Sequence, residues 1–215
     1  KENDIIKVKQ EKNITKNVLF MAVSKKRTKE AVQEVYNQGH RLFGENYVAE
    51  LLEKQEALPK DIEWHLIGHL QSNKIKKLLE KIPNIIIESV DSAKIAEELE
   101  KNCAKLGIQE LKVYMEINIS NSTTKTSADM NTIGEIAETI VKKCPHLKMV
   151  GIMSLGNVNN LEEFREMIKL KNEICEKYNF DKETFIASFG TSQDFENAIR
   201  EGSDEVRVGH TIFDV

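Results

Sequence analysis

Strand-like and helix-like segments alternate eight times along the 215 residues, which predicts an α/β protein folded as a single (β/α)8 barrel of the TIM type over residues 1–215. Three observations carry this reading. Each short apolar run is followed by an amphipathic stretch. The run Ile85-Ile86-Ile87 is β-branched throughout, as strands buried on both faces of a parallel sheet are. No shift of composition divides the chain. An open doubly wound sheet is the alternative, because periodicity does not show closure; no GxGxxG opens any helix, which argues against its dinucleotide-binding form.

The first strand spans Val18 to Val23, and a helix follows from Thr28, its N-cap, to Gln38, with Gly39 as the stop. Arg41 to Phe43 forms the second strand and runs through Gly44-Glu45-Asn46 into a helix ending near Leu52. Trp64 to Ile67 is the third strand. The helix Lys74 to Lys81 carries Ile75, Leu78 and Leu79 at helical spacing, the mark of an amphipathic surface helix rather than a nucleic-acid-binding one. Ile85 to Val90 is the fourth strand, and Asp91 or Ser92 caps a helix that Gly107 ends after Leu106. Leu111 to Ile117, Leu147 to Met153, Phe185 to Ser188 and Glu205 to Val208 are strands five to eight. The helices between them are Thr132 to Lys143, Leu161 to Tyr178 and Phe195 to Glu201. Asn118 to Asp129, rich in Ser and Thr, is the long connection without periodicity and is expected to be a mobile loop at the mouth. Little chain follows the eighth strand, so the segment before Val18 is expected to cover that side.

Hydrophobic residues make up 40% and charged residues 31%, a globular composition. The net charge of −4 and pI ≈ 5.9 imply no general attraction to nucleic acid or an anionic membrane. No run is long and apolar enough to span a bilayer, and the polar start from Lys1 to Lys12 does not read as a signal peptide. Cys103, Cys144 and Cys175 lack the spacing of a metal knuckle or redox pair, so reduced thiols and a cytoplasmic location are expected. His65 and His69 are four apart across a strand-to-loop junction, where that spacing does not make a zinc pair. Cys144 and His146 do not make a nucleophilic dyad.

In a barrel of this class ligands bind at the carboxyl ends of the strands, and phosphates favour the loops after strands seven and eight. Those loops are Ser188 to Ser192 and Arg207 to His210; each holds a glycine that lets backbone N–H groups approach an anion. Lys25 ends the neighbouring first strand. An amine beside a phosphate-bearing aldehyde points to a Schiff base with pyridoxal 5′-phosphate (PLP). Blander readings stand beside these. Lys25 could be a snorkelling strand-end lysine, Arg207 could pair with Glu205 or with a carboxylate across the mouth, and Thr191 or Ser192 could cap the helix that follows.

The motifs bring a known family into view. They are Ala22-Val23-Ser24-Lys25, Phe43-Gly44-Glu45-Asn46-Tyr47-Val48, Trp64-His65-Leu66-Ile67-Gly68 with Leu70-Gln71-Ser72-Asn73-Lys74, and Glu88-Ser89-Val90-Asp91-Ser92. Gly151-Ile152-Met153, Asp194-Phe195-Glu196 with Ala198-Ile199, Gly202-Ser203 and Val206-Arg207-Val208-Gly209 follow. On these the chain resembles the pyridoxal phosphate homeostasis (PROSC/YggS-like) family over nearly its whole length. The resemblance implies a barrel like the alanine racemase N-terminal domain, with PLP as cofactor. It implies that Lys25 forms the Schiff base and that Asn46 lies near the ring. Ser192 and the backbone at Gly209 and His210 would hold the phosphate, and Arg207 would face the pyridine nitrogen. Three departures stand out. His210 occupies a position where the family usually has Ser or Thr. The loop 118–128 keeps Asn118, Ser120 and Lys125 without the family's glutamate and glycine. Asp214 replaces a usual glycine.

An arginine facing the pyridine nitrogen weakens the ring as an electron sink, so decarboxylation and transamination are not expected. Racemisation needs two bases on opposite faces. Lys25 supplies one, and Tyr47 is the only tyrosine near a strand end to be weighed as the second. The role the resemblance implies, which the missing second base supports, is non-catalytic: reversible binding, buffering and delivery of PLP to PLP-dependent apoenzymes, with a monomer or weak dimer as the expected state. The competing reading is an amino-acid racemase with weak activity.

Overall fold

The computed structural model describes residues 17–119, 127–157 and 159–213. Its eight strands form a closed parallel barrel in sequence order. The strands are β1 (Leu19–Val23), β2 (Leu42–Glu45), β3 (Glu63–Leu66), β4 (Ile86–Val90), β5 (Leu111–Glu116), β6 (Leu147–Met153), β7 (Ile186–Thr191) and β8 (Glu205–Val208). The helices are α1 (Lys29–Asn37), α2 (Val48–Ala57), α3 (Ser72–Lys81), α4 (Ala93–Leu106), α5 (Ser127–Glu138), α6 (Leu161–Tyr178), α7 (Phe195–Arg200) and the short α8 (His210–Phe213). The last turn of α5 widens into a π-helical segment, Thr139–Lys143. Closure rests on β1 against β8, where Met21 stands opposite Arg207 and Ala22 opposite Val208.

Local chemistry accounts for most boundaries. Thr28 Oγ1 accepts the Ala31 N–H at 3.3 Å and opens α1; Ser92, rather than Asp91, caps α4 by accepting the Ile95 N–H at 3.3 Å. Helix α2 continues past Leu52 to Ala57 and stops where Leu58 precedes Pro59, a residue that disfavours helical geometry behind it. The expected loop after β5 lies mainly at residues 120–126, outside the described residues, and its last residues, from Ser127 on, belong to α5. The segment before Val18 and Asp214 also fall outside them, Asn17 excepted.

The apolar core is a sleeve between the outer face of the strands and the helices. Phe43, Leu66, Ile87, Val113 and Val206 pack against Leu51, Leu78, Leu79 and Leu99, all within 2% of full burial. Cys103, Cys144 and Cys175 are free, buried thiols. The lumen differs from the branched aliphatic filling usual for this fold. It holds a small apolar patch of Ile86, Tyr114 and Met153 beside buried His65, Glu88, Ser188, Glu205 and Arg207.

Candidate functional site

The carboxyl ends of β1, β2, β7 and β8 bring the sequence-derived residues to one mouth. Gly209, directly after β8, comes so near β1 that a Cβ there would sit 3.1 Å from the Val23 carbonyl oxygen. Its N–H donates to Ser192 Oγ at 3.0 Å, which joins the loops after β7 and β8. Ser192 is not a helix cap. The N-cap of α7 is Asp194, whose Oδ1 accepts from the Thr191 N–H at 2.7 Å and from Thr191 Oγ1 at 3.0 Å. Strand β7 also runs three residues beyond Ser188, so Thr191 ends a strand instead of opening a helix. Gly190 makes that extension possible: its φ is +97°, and a Cβ would fall 2.4 Å from the Ala198 Cβ.

Arg207 is 3% exposed. Its guanidinium donates to Ser188 Oγ and to the Ser154 carbonyl, both at 2.6 Å. The alternative reading of Arg207, an ion pair with Glu205, does not form directly; Ser188 Oγ stands between them and donates to Glu205 Oε1 at 2.7 Å. The reason is strand parity: residues two apart on β8 share a face but sit in successive layers. Lys25 lies two residues beyond β1, exposed, in a tight turn. Asn46 follows β2, and its Oδ1 is buried without a hydrogen-bond partner; the same holds for Ser154 Oγ after β6. Such orphans are rare in native interiors and call for a physical reason. His210 opens α8 and is exposed.

Below this mouth lies a polar layer that the sequence did not reveal. His65 Nδ1 stands 2.5 Å from Glu88 Oε1 and 4.0 Å from Glu205 Oε2. Tyr114 OH donates to Glu205 at 3.5 Å. Burial alone would depress the His65 imidazole, but the Glu63 and Glu88 carboxylates and the field of Glu205 outweigh it and push it up to about 10. Burial and then the Glu88 charge push Glu205 up to about 8. These three residues also offer one nitrogen and two carboxylate oxygens within 4.8 Å of one another, a donor set that divalent cations use. His65 Nδ1 and Glu88 Oε1 lie within hydrogen-bond distance, and burial together with the Glu88 charge favours the protonated form of Glu205. The cluster reads as a hydrogen-bonded set that holds protons. His65 faces the lumen, while His69 lies exposed at the rim with Nδ1 3.0 Å from Asp91 Oδ2, so the two histidines are apart, as the spacing implied.

Two more groups at the mouth escaped sequence reading. Burial raises the Glu116 carboxyl, as does Asp91, against the pull of Arg207 and His69. Behind β1 and β2, Lys54, 5% exposed, pairs with the fully buried Glu45 at 2.6 Å. A cavity of ≈ 380 Å³ opens beside Asn46 and is bounded by Tyr47, Gly68, His69, Gln71 and Lys74. A larger cleft of ≈ 480 Å³, lined by Glu110, His146, Leu147 and Phe185, lies at the amino ends of β5 to β7. That is the face where this fold places stability rather than chemistry.

Comparisons with known proteins agree with this geometry. The chain matches the family described as "Alanine racemase, N-terminal domain" over residues 7–215. The "Pyridoxal phosphate homeostasis protein" of Homo sapiens is 38% identical over 207 residues, covering 90% of this chain and 75% of the human one. Its namesake from Aquifex aeolicus is 36% identical over 200 residues, covering 90% of this chain and 85% of its own. Among solved structures, PipY of Synechococcus elongatus, with PLP bound, has a TM-score of 0.77 at 27% identity and covers 98% of both chains. Alanine racemase of Clostridium difficile shares the fold, with a TM-score of 0.71 at 12% identity over 98% of this chain and 55% of the enzyme. The chain belongs to the alanine racemase N-terminal domain family and, within it, to the pyridoxal phosphate homeostasis proteins.

Proposed function

We propose that this chain, as one barrel domain acting in the cytoplasm, binds PLP reversibly through Lys25 and serves vitamin B6 homeostasis, including delivery of the cofactor to apoenzymes. One observation carries the reading: the Ser192–Gly209 contact at 3.0 Å ties together the two loops that suit a phosphate, and the second of them follows β8, the strand paired with β1, just beyond which Lys25 lies. The residues fit the group. Asn46 Oδ1 and Ser154 Oγ, at the ends of β2 and β6, are orphaned polar atoms, and Gly209 leaves little room for a side chain against β1. When bound, PLP supplies an aldehyde that condenses with a primary amine to a Schiff base and releases one water.

The chain's own groups divide the remaining work. Ser192 Oγ and the backbone N–H groups at Gly209 and His210 would hold the phosphate. His210 stands where the family resemblance implies a hydroxyl, so its imidazole is read as the replacement donor. Asn46 would border the ring. Arg207, fixed by Ser188 and Ser154, presents a guanidinium cation and would leave a pyridine nitrogen facing it unprotonated. That removes the electron sink most PLP enzymes need. The role is therefore read as non-catalytic.

The experiment is borohydride trapping of the PLP-loaded protein, with peptide mapping of the labelled lysine and the visible spectrum of Lys25→Ala. A single label at Lys25 and loss of the yellow colour in the variant are expected. A label on Lys26 or Lys74 would overturn the assignment. Loss of the α-proton from an added amino acid in heavy water would favour the racemase reading instead.

A further inference from the structure

The turn that carries Lys25 is held from outside the barrel. The Arg27 N–H donates to the Ser24 carbonyl at 3.0 Å, which closes a four-residue turn around Lys25 and Lys26. Lys26 has φ +58°, a left-handed conformation that glycine or asparagine normally supplies and that strains a lysine. Two side chains of α2 secure it. Lys54 Nζ donates to the Ser24 carbonyl at 2.7 Å and to Glu45 Oε1 at 2.6 Å, and that same Oε1 accepts from Ser24 Oγ at 2.6 Å. Glu50 Oε2 accepts the Lys26 N–H at 2.8 Å and lies 3.4 Å from Lys54 Nζ. Both peptide units flanking Lys25 are thus tied to one ion cluster, the first through its carbonyl and the second through its N–H.

We propose that Glu50 and Lys54, with Glu45, are positioning residues for Lys25, holding the Ser24–Arg27 turn in its strained form so that the amine is presented from a fixed backbone. This rests on Lys25 being the amine that takes PLP. A lysine stem has four rotatable carbons, and a mobile turn beneath it would multiply the arrangements to be frozen before the amine meets an aldehyde. Apart from Ser24 Oγ, the cluster touches only backbone atoms of the turn. It can fix the chain at Lys25 without altering the amine's own surroundings.

The test separates the hydrogen bond from its charge and from the strain. Glu50→Ala removes the acceptor for the Lys26 N–H, whereas Glu50→Gln keeps an acceptor oxygen without the charge. Lys26→Gly lets the turn adopt positive φ unaided. Glu50→Ala is expected to slow covalent attachment of PLP about tenfold. It should also speed amide hydrogen exchange at Lys26 in protein free of cofactor. Affinity for 4-deoxypyridoxine 5′-phosphate, which lacks the aldehyde, should stay within about twofold. Glu50→Gln should keep a rate within about threefold of the parent, and Glu50→Ala combined with Lys26→Gly should recover most of the loss. An unchanged attachment rate in Glu50→Ala, an equal loss of analogue affinity, or no recovery in the double variant would each overturn the proposal. Lys25→Ala, run alongside, keeps the two readings apart. If the adduct survives there, the choice of amine is wrong; if it vanishes there while Glu50→Ala reacts like the parent, only the positioning role is wrong.

Discussion

Replacing Lys54 by methionine probes the buried ion pair behind the mouth. Glu45 is fully buried, and its Oε2 already lacks a partner. Burial pushes its carboxyl up, while Lys54 and then Ser24 pull it down. Without the ammonium, Glu45 keeps only Ser24 Oγ, and an uncompensated buried carboxylate costs about 3 to 5 kcal/mol. At about 2–4 °C per kcal/mol for a chain of this size, the melting temperature should fall by about 10 °C. Glu45→Gln added to Lys54→Met removes the stranded charge and should restore about 2 kcal/mol or more relative to the sum of the single losses. The deficit of Lys54→Met should shrink as pH falls, because a protonated Glu45 carries no charge to leave unpaired. Urea unfolding of the parent, both singles and the double at pH 7 and pH 5 measures all of this. If the double loses the sum of the singles to within about 0.5 kcal/mol, the pair is not coupled and the electrostatic reasoning fails.

Other outcomes follow from the same geometry. His65 and Glu205 both titrate above their ordinary values, so from about pH 4.3 to 10 the folded barrel binds more protons than the unfolded chain, and stability falls as pH rises. Glu205→Gln removes the Glu205 share and should be more stable than the parent at pH 9 by about 1 kcal/mol or more; identical pH slopes between pH 5 and 8 would refute this. Gly190→Ala must accept a Cβ 2.4 Å from Ala198 at φ +97° and should cost about 2 to 4 kcal/mol in chemical denaturation. Gly209→Ala, with its nearest contact at 3.1 Å, should cost less; equal losses would count against the steric reading. Ser192→Ala should weaken PLP binding about tenfold in equilibrium titration while labelling at Lys25 persists, and unchanged affinity would remove Ser192 from the phosphate cradle. His210→Ser should bind phosphate more weakly than the parent; equal or tighter binding would mean the imidazole adds nothing.

Much of the fold was legible because local rules and tertiary demand coincide along the chain. Helix α6 begins after Asn160, whose Oδ1 accepts the Glu163 N–H, and ends at Tyr178, as its apolar spacing indicates. Strands β6 and β8 occupy the segments their apolar runs mark. The misreadings have physical causes. Phe189-Gly190-Thr191 looks like a loop because of its glycine, yet a register shift against β8 carries it into the sheet. The charged stretch after Leu52 resembles a helix end, although Lys54 is buried in its middle. Ser192 is freed for the mouth because Asp194 answers the local donors.

Sequence by itself determined the alternation that builds the barrel and the strand ends that meet at its mouth. These follow from period, spacing and residue type, which are properties of a single stretch of chain. Tertiary structure alone decided which polar side chains share the lumen and which brace the turn from behind. His65, Glu88 and Glu205 come from three strands, and Lys54 reaches Ser24 across thirty residues. Such partners become neighbours only when the sheet closes, because closure selects which alternate face of every strand points inward.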